Sequence, residues 1–330
     1  MLNMMNLRNR FRSAGAWGSF LALVVLLVVC CISSPSFRNV QNLLNITRQV
    51  SYSGIIALGM TFVIIGGGID LSVGSLLALA GCLSLMAMNL CPDPMMGLAV
   101  CISCAILLGC AGGAVNGLLV TFGKIPPFIA TLGMFSIFRS LALYAADAGL
   151  VTTANVPFQN LGRAAILGIP LPALVLLVLT AVFSLILTRT AYGRHLCAVG
   201  ANEKVARYAA ISTGKVRFIS YLIAGLTSGI SAILLGGRLN SVSSTNAGMS
   251  YELDAIAAVI IGGTAMSGGR GNMWGTLVGV LILGIVGNVL DMWGVSVNLQ
   301  GNAIALIPHF SAKSSKSFGL ANPSSVLILV

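Results

Sequence analysis

Acidic side chains inside long apolar stretches are the residues of this chain that could do chemistry. Asp70 lies between two apolar runs, where an ionisable group is costly unless other groups satisfy it. One interpretation places Asp70 on the path of a substrate or a coupling ion. The other makes it the N-cap of a helix that starts at Leu71, with its carboxylate accepting backbone N–H bonds. We favour the cap, because Asp is strongly preferred at that position, and keep both interpretations.

The other polar motifs form no recognisable catalytic, nucleotide or metal site. The Gly-Lys pairs at 123–124 and 214–215 lack the glycine spacing and the following Ser or Thr of a phosphate-binding loop. His195 and His309 are far apart and have no Cys or carboxylate companions. We therefore expect no catalytic residue, no metal and no cofactor, and no ATP hydrolysis by this chain itself.

The composition is typical of a polytopic membrane protein. Hydrophobic residues make up 57% of the chain, charged residues 8%, and the mean hydropathy is +0.99, which does not allow a water-soluble surface. A net charge of +11 would indicate a nucleic-acid partner in a soluble protein. Here the basic residues lie between apolar stretches, as in loops retained in the cytoplasm, so we expect membrane lipid as a partner and no nucleic acid.

Apolar runs of about 20 residues, long enough to cross a bilayer as helices, recur along the chain. The first, 16–32, follows three arginines and is interpreted as an uncleaved span with its N-terminus in the cytoplasm. The others are 50–69, 71–90, 97–120, 125–145, 170–188, 218–236 and 273–291. The pattern predicts an all-α, polytopic integral membrane protein with about nine transmembrane helices.

A long basic stretch at residues 189–217 holds six of the 18 Lys and Arg residues and one acid, Glu203. Six spans precede it, which places it in the cytoplasm, in agreement with its charge. Asn202 can cap a short helix over Glu203–Ala210, with the acid in its first turn. Such a helix, which carries Tyr208, suits docking on a soluble partner; the alternative is a solvated loop that only sets the topology.

Two glycine-rich stretches resemble each other and indicate a possible internal repeat. Residues 63–68 read Val-Ile-Ile-Gly-Gly-Gly, and residues 259–264 read Val-Ile-Ile-Gly-Gly-Thr. Before the second stretch, the apolar segment 255–261 is too short to cross a membrane alone. It is either a broken or re-entrant helix that lines a cavity or an ordinary helix with a polar cap.

Three motifs, in this order, resemble the permease subunits of bacterial ribose-type (simple-sugar) ABC importers. Residues 67–75 read Gly-Gly-Ile-Asp-Leu-Ser-Val-Gly-Ser, residues 198–203 read Ala-Val-Gly-Ala-Asn-Glu, and residues 251–254 read Tyr-Glu-Leu-Asp, followed by Gly-Gly at 268–269. The resemblance covers residues 36–301. It implies a permease, not an enzyme, for a ribose-like pentose or a hexose in the bacterial inner membrane.

The resemblance also implies partners and site residues. The partners would be a cytoplasmic ABC ATPase subunit that uses the ATP, an external or periplasmic sugar-binding protein, and a second permease copy, identical or a paralogue. The residues of the ATPase-coupling loop would be Gly200, Asn202, Glu203 and Arg207. The candidates for the translocation path would be Asp70, Ser72, Gly74, Glu252 and Asp254.

The chain departs from the family in two places. Ala201 stands where the family usually has Gly, which is a small change. Beyond Gly301 the family usually continues into one more apolar helix, about the tenth, whereas residues 302–330 contain no 18-residue apolar run. We therefore divide the chain into a permease domain, 1–301, and an atypical tail, 302–330. A frameshift or a truncated reading frame is one hypothesis for this tail.

Two other function classes compete with the importer. An ion-coupled secondary transporter would use Asp70 as its titrating group. Its uptake would survive the loss of any ATPase and collapse with an ionophore. A scaffold or a membrane enzyme is the third class, and the lack of a nucleophile or metal constellation argues against the enzyme.

Overall fold

The fold is built almost entirely from α-helices. The computed structural model describes residues 2–295, and the side chains of residues 18–295. The helices are α1 Leu2–Ser33, α2 Val40–Ile65, α3 Val73–Asn89, α4 Pro94–Thr121, α5 Pro127–Ala145, α6 Val156–Arg163, α7 Leu171–Arg189, α8 Ala191–Ala201, α9 Glu203–Tyr208, α10 Thr213–Leu239, α11 Tyr251–Ile261 and α12 Met273–Met292. Two antiparallel strand pairs join β1 Leu150–Thr152 to β4 Ser241–Ser243 and β2 Ala165–Ile166 to β3 Ile169–Pro170.

Each apolar run of the sequence overlaps a helix. Within residues 2–295, six helices are long and apolar enough to cross a membrane: α2, α4, α5, α7, α10 and α12. Helix α3 and the part of α1 from Gly18 to Ser33 are shorter apolar helices. The all-α polytopic fold is confirmed, and the count of nine spans stays a prediction. The atypical tail at 302–330, where the last helix of the family is expected to be missing, lies outside the described residues.

Local chemistry explains where several helices begin. The side chain of Asn39 accepts a hydrogen bond from Gln41 N at 2.9 Å, and that of Asp93 accepts one from Met96 N at 2.7 Å. Both bonds satisfy N–H groups that have no partner inside the helix. Proline occupies the first turn of α4, α5, α6 and α7, where its missing N–H costs nothing.

Helices α2 and α10 occupy the centre, since 83% and 67% of their apolar windows are buried, more than in the other candidate spans. Helix α10 packs closely on α4 through glycines. A Cβ at Gly225 would lie 2.8 Å from the Cα of Gly113. Small residues let helix backbones approach in a membrane, where van der Waals packing holds helices together.

The chain between α10 and α11 runs as mostly non-helical backbone beside α3. Val242 contacts Gly81 of α3, and farther on Gly248 contacts Gly74 near the start of that helix. Residues 240–250, which we call the unwound segment, therefore run antiparallel to α3 before α11 begins. The apolar segment 255–261 lies in α11, an 11-residue helix with Glu252 and Asp254 in its first turn, and both interpretations of that segment stay open.

Helices α2 and α11 end in the same kind of glycine turn. The N–H groups of Gly68 and Thr264 each donate to the carbonyl five residues earlier, at 3.0 and 3.1 Å. Gly67 and Gly263 have φ angles of +80° and +87°, a conformation that residues with a Cβ rarely adopt. The two turns thus have the same backbone conformation. An internal repeat of the two halves of the chain stays a prediction.

Candidate functional site

The basic stretch at residues 189–217 is not an open loop, because it folds into α8, α9 and the start of α10. Asn202 caps α9, and its side chain accepts a hydrogen bond from Val205 N at 3.2 Å. The predicted short helix is therefore present, but it ends at Tyr208 rather than at Ala210. Ala210 has a φ of +59°, so the backbone has left the helix and turns toward α10.

Glu203 is the centre of a charge cluster at the start of α9. Its Oε2 lies 2.8 Å from Arg217 Nη1 of α10, and its Oε1 lies 2.6 Å from Arg207 Nη2, one turn along α9. Burial raises the pKa of Glu203, but the guanidinium groups of Arg217 and Arg207 outweigh burial and leave that pKa below its ordinary value. The carboxylate is therefore charged at neutral pH and ties α9 to α10.

Arg217 extends this cluster to the end of α2. Its Nε donates to Gly66 O at 3.2 Å, in the glycine turn that follows α2. The last carbonyls of a helix lack partners and carry partial negative charge, so a guanidinium there is stabilising. One arginine thus joins the carboxylate of α9 to the end of α2. Arg217 could not be identified from the sequence, because no local pattern shows contact with a residue 151 positions away.

Gly200, near the end of α8, packs against the same turn. A Cβ at this position would collide with Ile65 O and lie 2.6 Å from Gly269 N. Gly269 N itself donates to Ile65 O at 2.8 Å, so α8, the end of α2 and the loop that follows the glycine turn of α11 meet at one carbonyl. No side chain fits at position 200, and glycine is required there. We call the meeting point of Ile65, Gly66, Gly200, Arg217 and Gly269 the junction.

One side of α9 is open beside the junction. An open depression there is lined by Asn202, Glu203, Lys204 and Arg207. Next to it, Val205 and Tyr208 are 60% and 91% exposed. A short helix that presents an apolar and an aromatic side chain among charges is suited to a groove on a soluble protein. This surface favours the docking interpretation over a loop that only sets topology.

Asp70 is not the N-cap of α3, so the interpretation favoured from the sequence is wrong. Helix α3 begins at Val73, with Ser72 at the N-cap position, two residues later than expected. Asp70 is 1% exposed, and its Oδ1 accepts from Ser72 N at 2.9 Å and from Ser72 Oγ at 2.7 Å. Asn116 Nδ2 of α4 donates to Asp70 Oδ2 at 3.2 Å. These donors satisfy a buried carboxylate and tie the turn between α2 and α3 to α4.

The other path candidates separate into two places. Gly74 lies beside Glu252, whose Oε2 would be 2.5 Å from a Cβ at position 74. Glu252 is 9% exposed, and no described residue forms a hydrogen bond with its Oε2. Asp254 instead lines a separate cavity of about 170 Å³ beside α2 and α12, together with Gln49, Ser53 and Tyr251. The motif at residues 67–75 thus meets the motif at residues 251–254 through Glu252 and not through Asp254.

Arg139 of α5 is a polar residue that the sequence analysis missed. Its Nη1 donates to three backbone carbonyls of the unwound segment, those of Ser244, Thr245 and Ala247, at 2.9, 3.2 and 3.0 Å. One signal was present in the sequence: a lone arginine inside an apolar run is costly without partners.

Comparisons find relatives along most of the chain. A family model described as "Branched-chain amino acid transport system / permease component" matches residues 42–307. The ribose import permease protein RbsC of Bacillus subtilis is 46% identical over 285 residues, which cover 84% of this chain and 86% of that protein. RbsC of Haemophilus influenzae is 38% identical over 293 residues, 88% and 89% of the two chains. The D-allose transport system permease protein AlsC of Escherichia coli is 35% identical over 285 residues, 86% of each chain. No solved structure gives a significant match.

Proposed function

Because the chain belongs to the permease family of the branched-chain amino acid transport type, and within it to the ribose-type ABC importer permeases, we propose that it carries a simple sugar across the inner membrane. The observation that supports this most is the 46% identity to a ribose import permease, sustained over 84% of the chain. D-Ribose is therefore the first candidate substrate. A hexose is the second, given the relative named for D-allose transport.

The proposal includes a cytoplasmic ABC ATPase and an external sugar-binding protein as partners, as in the family. The chain itself holds no cofactor, and ATP is used by the partner. Helix α9 is the docking element for the ATPase, because it presents Val205 and Tyr208 beside a charged depression. The coupling residues are Gly200, Asn202, Glu203 and Arg207, joined here by Arg217.

The junction supplies a route from the ATPase to the membrane. A partner that moves α9 moves Glu203, and the ion pair at 2.8 Å takes Arg217 with it. Arg217 is bonded to Gly66, four residues before Asp70. The permease would exist in one state open to the cytoplasm and another open to the outside. ATP binding would shift the equilibrium between these two states, since the contact of the ATPase with α9 differs in strength between them.

The orientation and the assembly are further parts of the proposal. With the N-terminus in the cytoplasm, α9 and the junction face the ATPase. A second copy, identical or a paralogue, completes the passage. Many large apolar side chains on α5 and α7 are exposed, among them Ile129, Leu132, Val178 and Leu185, and these faces suit lipid or a second copy.

Reconstitution in liposomes tests the function. We expect D-ribose with its binding protein to stimulate ATP hydrolysis by the ATPase complex and to drive uptake that survives an ionophore. Uptake that needs no ATPase and collapses with the ionophore would favour the ion-coupled alternative, which the relatives do not support.

The double substitution Glu203→Ala with Arg207→Ala tests the docking assignment. We expect uptake to fall while the protein still inserts and purifies, because ion pairs of partly exposed side chains contribute little to folding stability. Arg163→Ala, which removes a charge from the distant helix α6, is the control. Normal uptake by the double variant would contradict the role given to α9.

A further inference from the structure

The unwound segment presents polar side chains on one side and apolar ones on the other. Val242 and Ala247 are buried against neighbouring helices. Thr245 and Asn246 are exposed, and Ser243 is partly exposed. The Oγ atoms of Ser243 and Thr245 lie 2.9 Å apart, within hydrogen-bond distance. Ser243, Thr245 and Asn246 therefore form a polar face, which ends before the exposed apolar side chain of Met249.

Its contacts place this polar face inside the apolar layer. The segment follows α3 from Gly81 to Gly74, a rise of about 10 Å along that helix. Arg139, which holds its carbonyls, lies twelve residues after Pro127 at the start of α5, or about 18 Å along a helix of roughly 28 Å. The hydrocarbon core of a bilayer is about 30 Å thick, so this contact lies within the apolar layer, about 9 Å from the end of α5 at Ala145. Ser244 N also donates to Gly149 O, just beyond that end, so the Ser243 end of the polar face is the end nearest the membrane surface.

Non-helical backbone at this depth persists only where protein or water surrounds it. Arg139 and α3 provide the protein on one side of the segment. The polar face, with Thr245 and Asn246, lies open. Hydroxyl and amide groups are unstable in lipid without partners. Ser243 and Thr245 bond each other, and the remaining hydrogen-bonding groups on that side need water, protein or a hydroxyl-rich ligand.

We propose that the unwound segment lines the sugar passage and that Ser243, Thr245 and Asn246 bind the hydroxyl groups of the passing monosaccharide. This inference rests on the proposed function and adds to it the residues that contact the sugar. A carboxamide and two hydroxyl groups offer both donors and acceptors, which match a neutral polyol. Arg139 is a positioning residue, because its bonds to three carbonyls hold the segment in place.

The neutral side chains of this face suit a weak, transient contact with the sugar rather than tight binding. Neutral side chains exchange hydrogen bonds to water for hydrogen bonds to sugar with little net gain in free energy. The sugar is therefore guided and released. The guanidinium of Arg139 donates its hydrogen bonds to backbone carbonyls of the segment.

The first experiment measures whether water and sugar reach the segment. Asn246→Cys is compared with Leu141→Cys, since Leu141 lies two residues from Arg139 and is 48% exposed on an apolar face. The complete transporter in liposomes is treated with a membrane-impermeant thiol reagent, and each new cysteine is followed by peptide mass spectrometry. A thiol reacts as its hydrated thiolate, so we expect labelling about tenfold faster at position 246 than at 141. D-Ribose with its binding protein should slow it.

Two results would overturn the inference. Labelling that is equally slow at 246 and 141 would mean that protein or lipid covers the segment. Fast labelling that D-ribose does not slow would mean that the passage is wet but the sugar does not touch this face. Thr245→Cys repeats the measurement at the neighbouring residue should Asn246→Cys fail to assemble with the ATPase.

The second experiment measures uptake. Asn246→Ala should lower the maximal rate of D-ribose uptake about threefold or more, the effect of one lost hydrogen bond, while Leu141→Ala keeps the normal rate. Normal uptake by both variants would overturn the sugar contact and leave the import function intact. Failure of the proposed function looks different, because the unaltered transporter itself would then take up no D-ribose.

Discussion

In the junction and in the unwound segment, one arginine donates to backbone carbonyls, but the two arginines are used differently. At the junction, Arg217 divides its guanidinium between Gly66 O and the carboxylate of Glu203, whose side chain is 31% exposed. In the unwound segment, one nitrogen of Arg139 serves three carbonyls of the same stretch of chain. The first arginine joins two helices and an ion pair near solvent, whereas the second ties one segment to α5.

The contact of Arg217 can therefore rearrange, whereas the contact of Arg139 is expected to stay intact. An ion pair near water contributes little net free energy and can exchange partners. A protein that docks on α9 can therefore compete for Glu203. Charge-assisted hydrogen bonds to carbonyls are about twice as strong as neutral ones. We expect the junction to move during transport and the unwound segment to keep its shape.

Gly200→Ala should disrupt the junction most strongly. The new methyl would displace Ile65 O and its hydrogen bond from Gly269 N. Overpacking and the lost bond together cost about 4 kcal/mol. We expect the melting temperature of the purified permease to fall by roughly 10 °C. Gly133→Ala is the matched control, because nothing lies within 4 Å of its added Cβ; equal melting of both variants would contradict the close contact.

Arg139→Met tests whether Arg139 holds the unwound segment in place, and should have the second-largest effect on stability. It keeps the length of the side chain but leaves three carbonyls without their donor, at a cost of about 3 kcal/mol. Both D-ribose uptake and thermal stability should fall. Arg139→Lys restores a donor without the guanidinium geometry and should recover part of both. Full uptake by the Met variant would show that the segment keeps its shape without this contact.

Arg217→Gln should separate ATP hydrolysis from transport with a smaller effect on stability. The amide can still donate to Gly66 O but loses the ion pair with Glu203. We expect the ATP hydrolysed per sugar imported to rise about fivefold, which corresponds to about 1 kcal/mol of coupling free energy. Arg217→Lys, which keeps the charge, should lie nearer the normal ratio. An unchanged ratio in the Gln variant would remove the junction from the coupling route.

Lowering the pH should change the stability of the permease least of all, by protonating Glu203. Its folded pKa is lowered by the two arginines against the effect of burial. Its stabilisation is therefore complete above the unfolded pKa of about 4.3 and is lost as the pH falls through the lower folded value. The partly exposed ion pair limits the change to under about 1 kcal/mol. At pH 7 the Glu203→Gln variant should have a lower melting temperature than the unaltered protein, and the difference should shrink in acid. A difference in melting temperature that stays constant with pH would contradict this.

Features that depend on neighbours along the chain were predictable from the sequence. Asn202 and Glu203 are adjacent, so the cap and the acid of the first turn indicate α9 without any structure. Asp70 was misassigned, because α3 begins two residues later than expected and the carboxylate also accepts from the amide of Asn116, 46 residues away. Local capping preference cannot reveal that competing donor.

Hydropathy, glycine and capping patterns were sufficient for the apolar helices, the two glycine turns and α9, since each acts over a few residues. Packing decided which side chains share a site. Glu252 and Asp254 are two positions apart on one helix and point in different directions, so one lies beside Gly74 and the other lines a separate cavity. Arg139 and Arg217 hold carbonyls 105 and 151 positions away, and contacts between such distant residues form only when the helices pack.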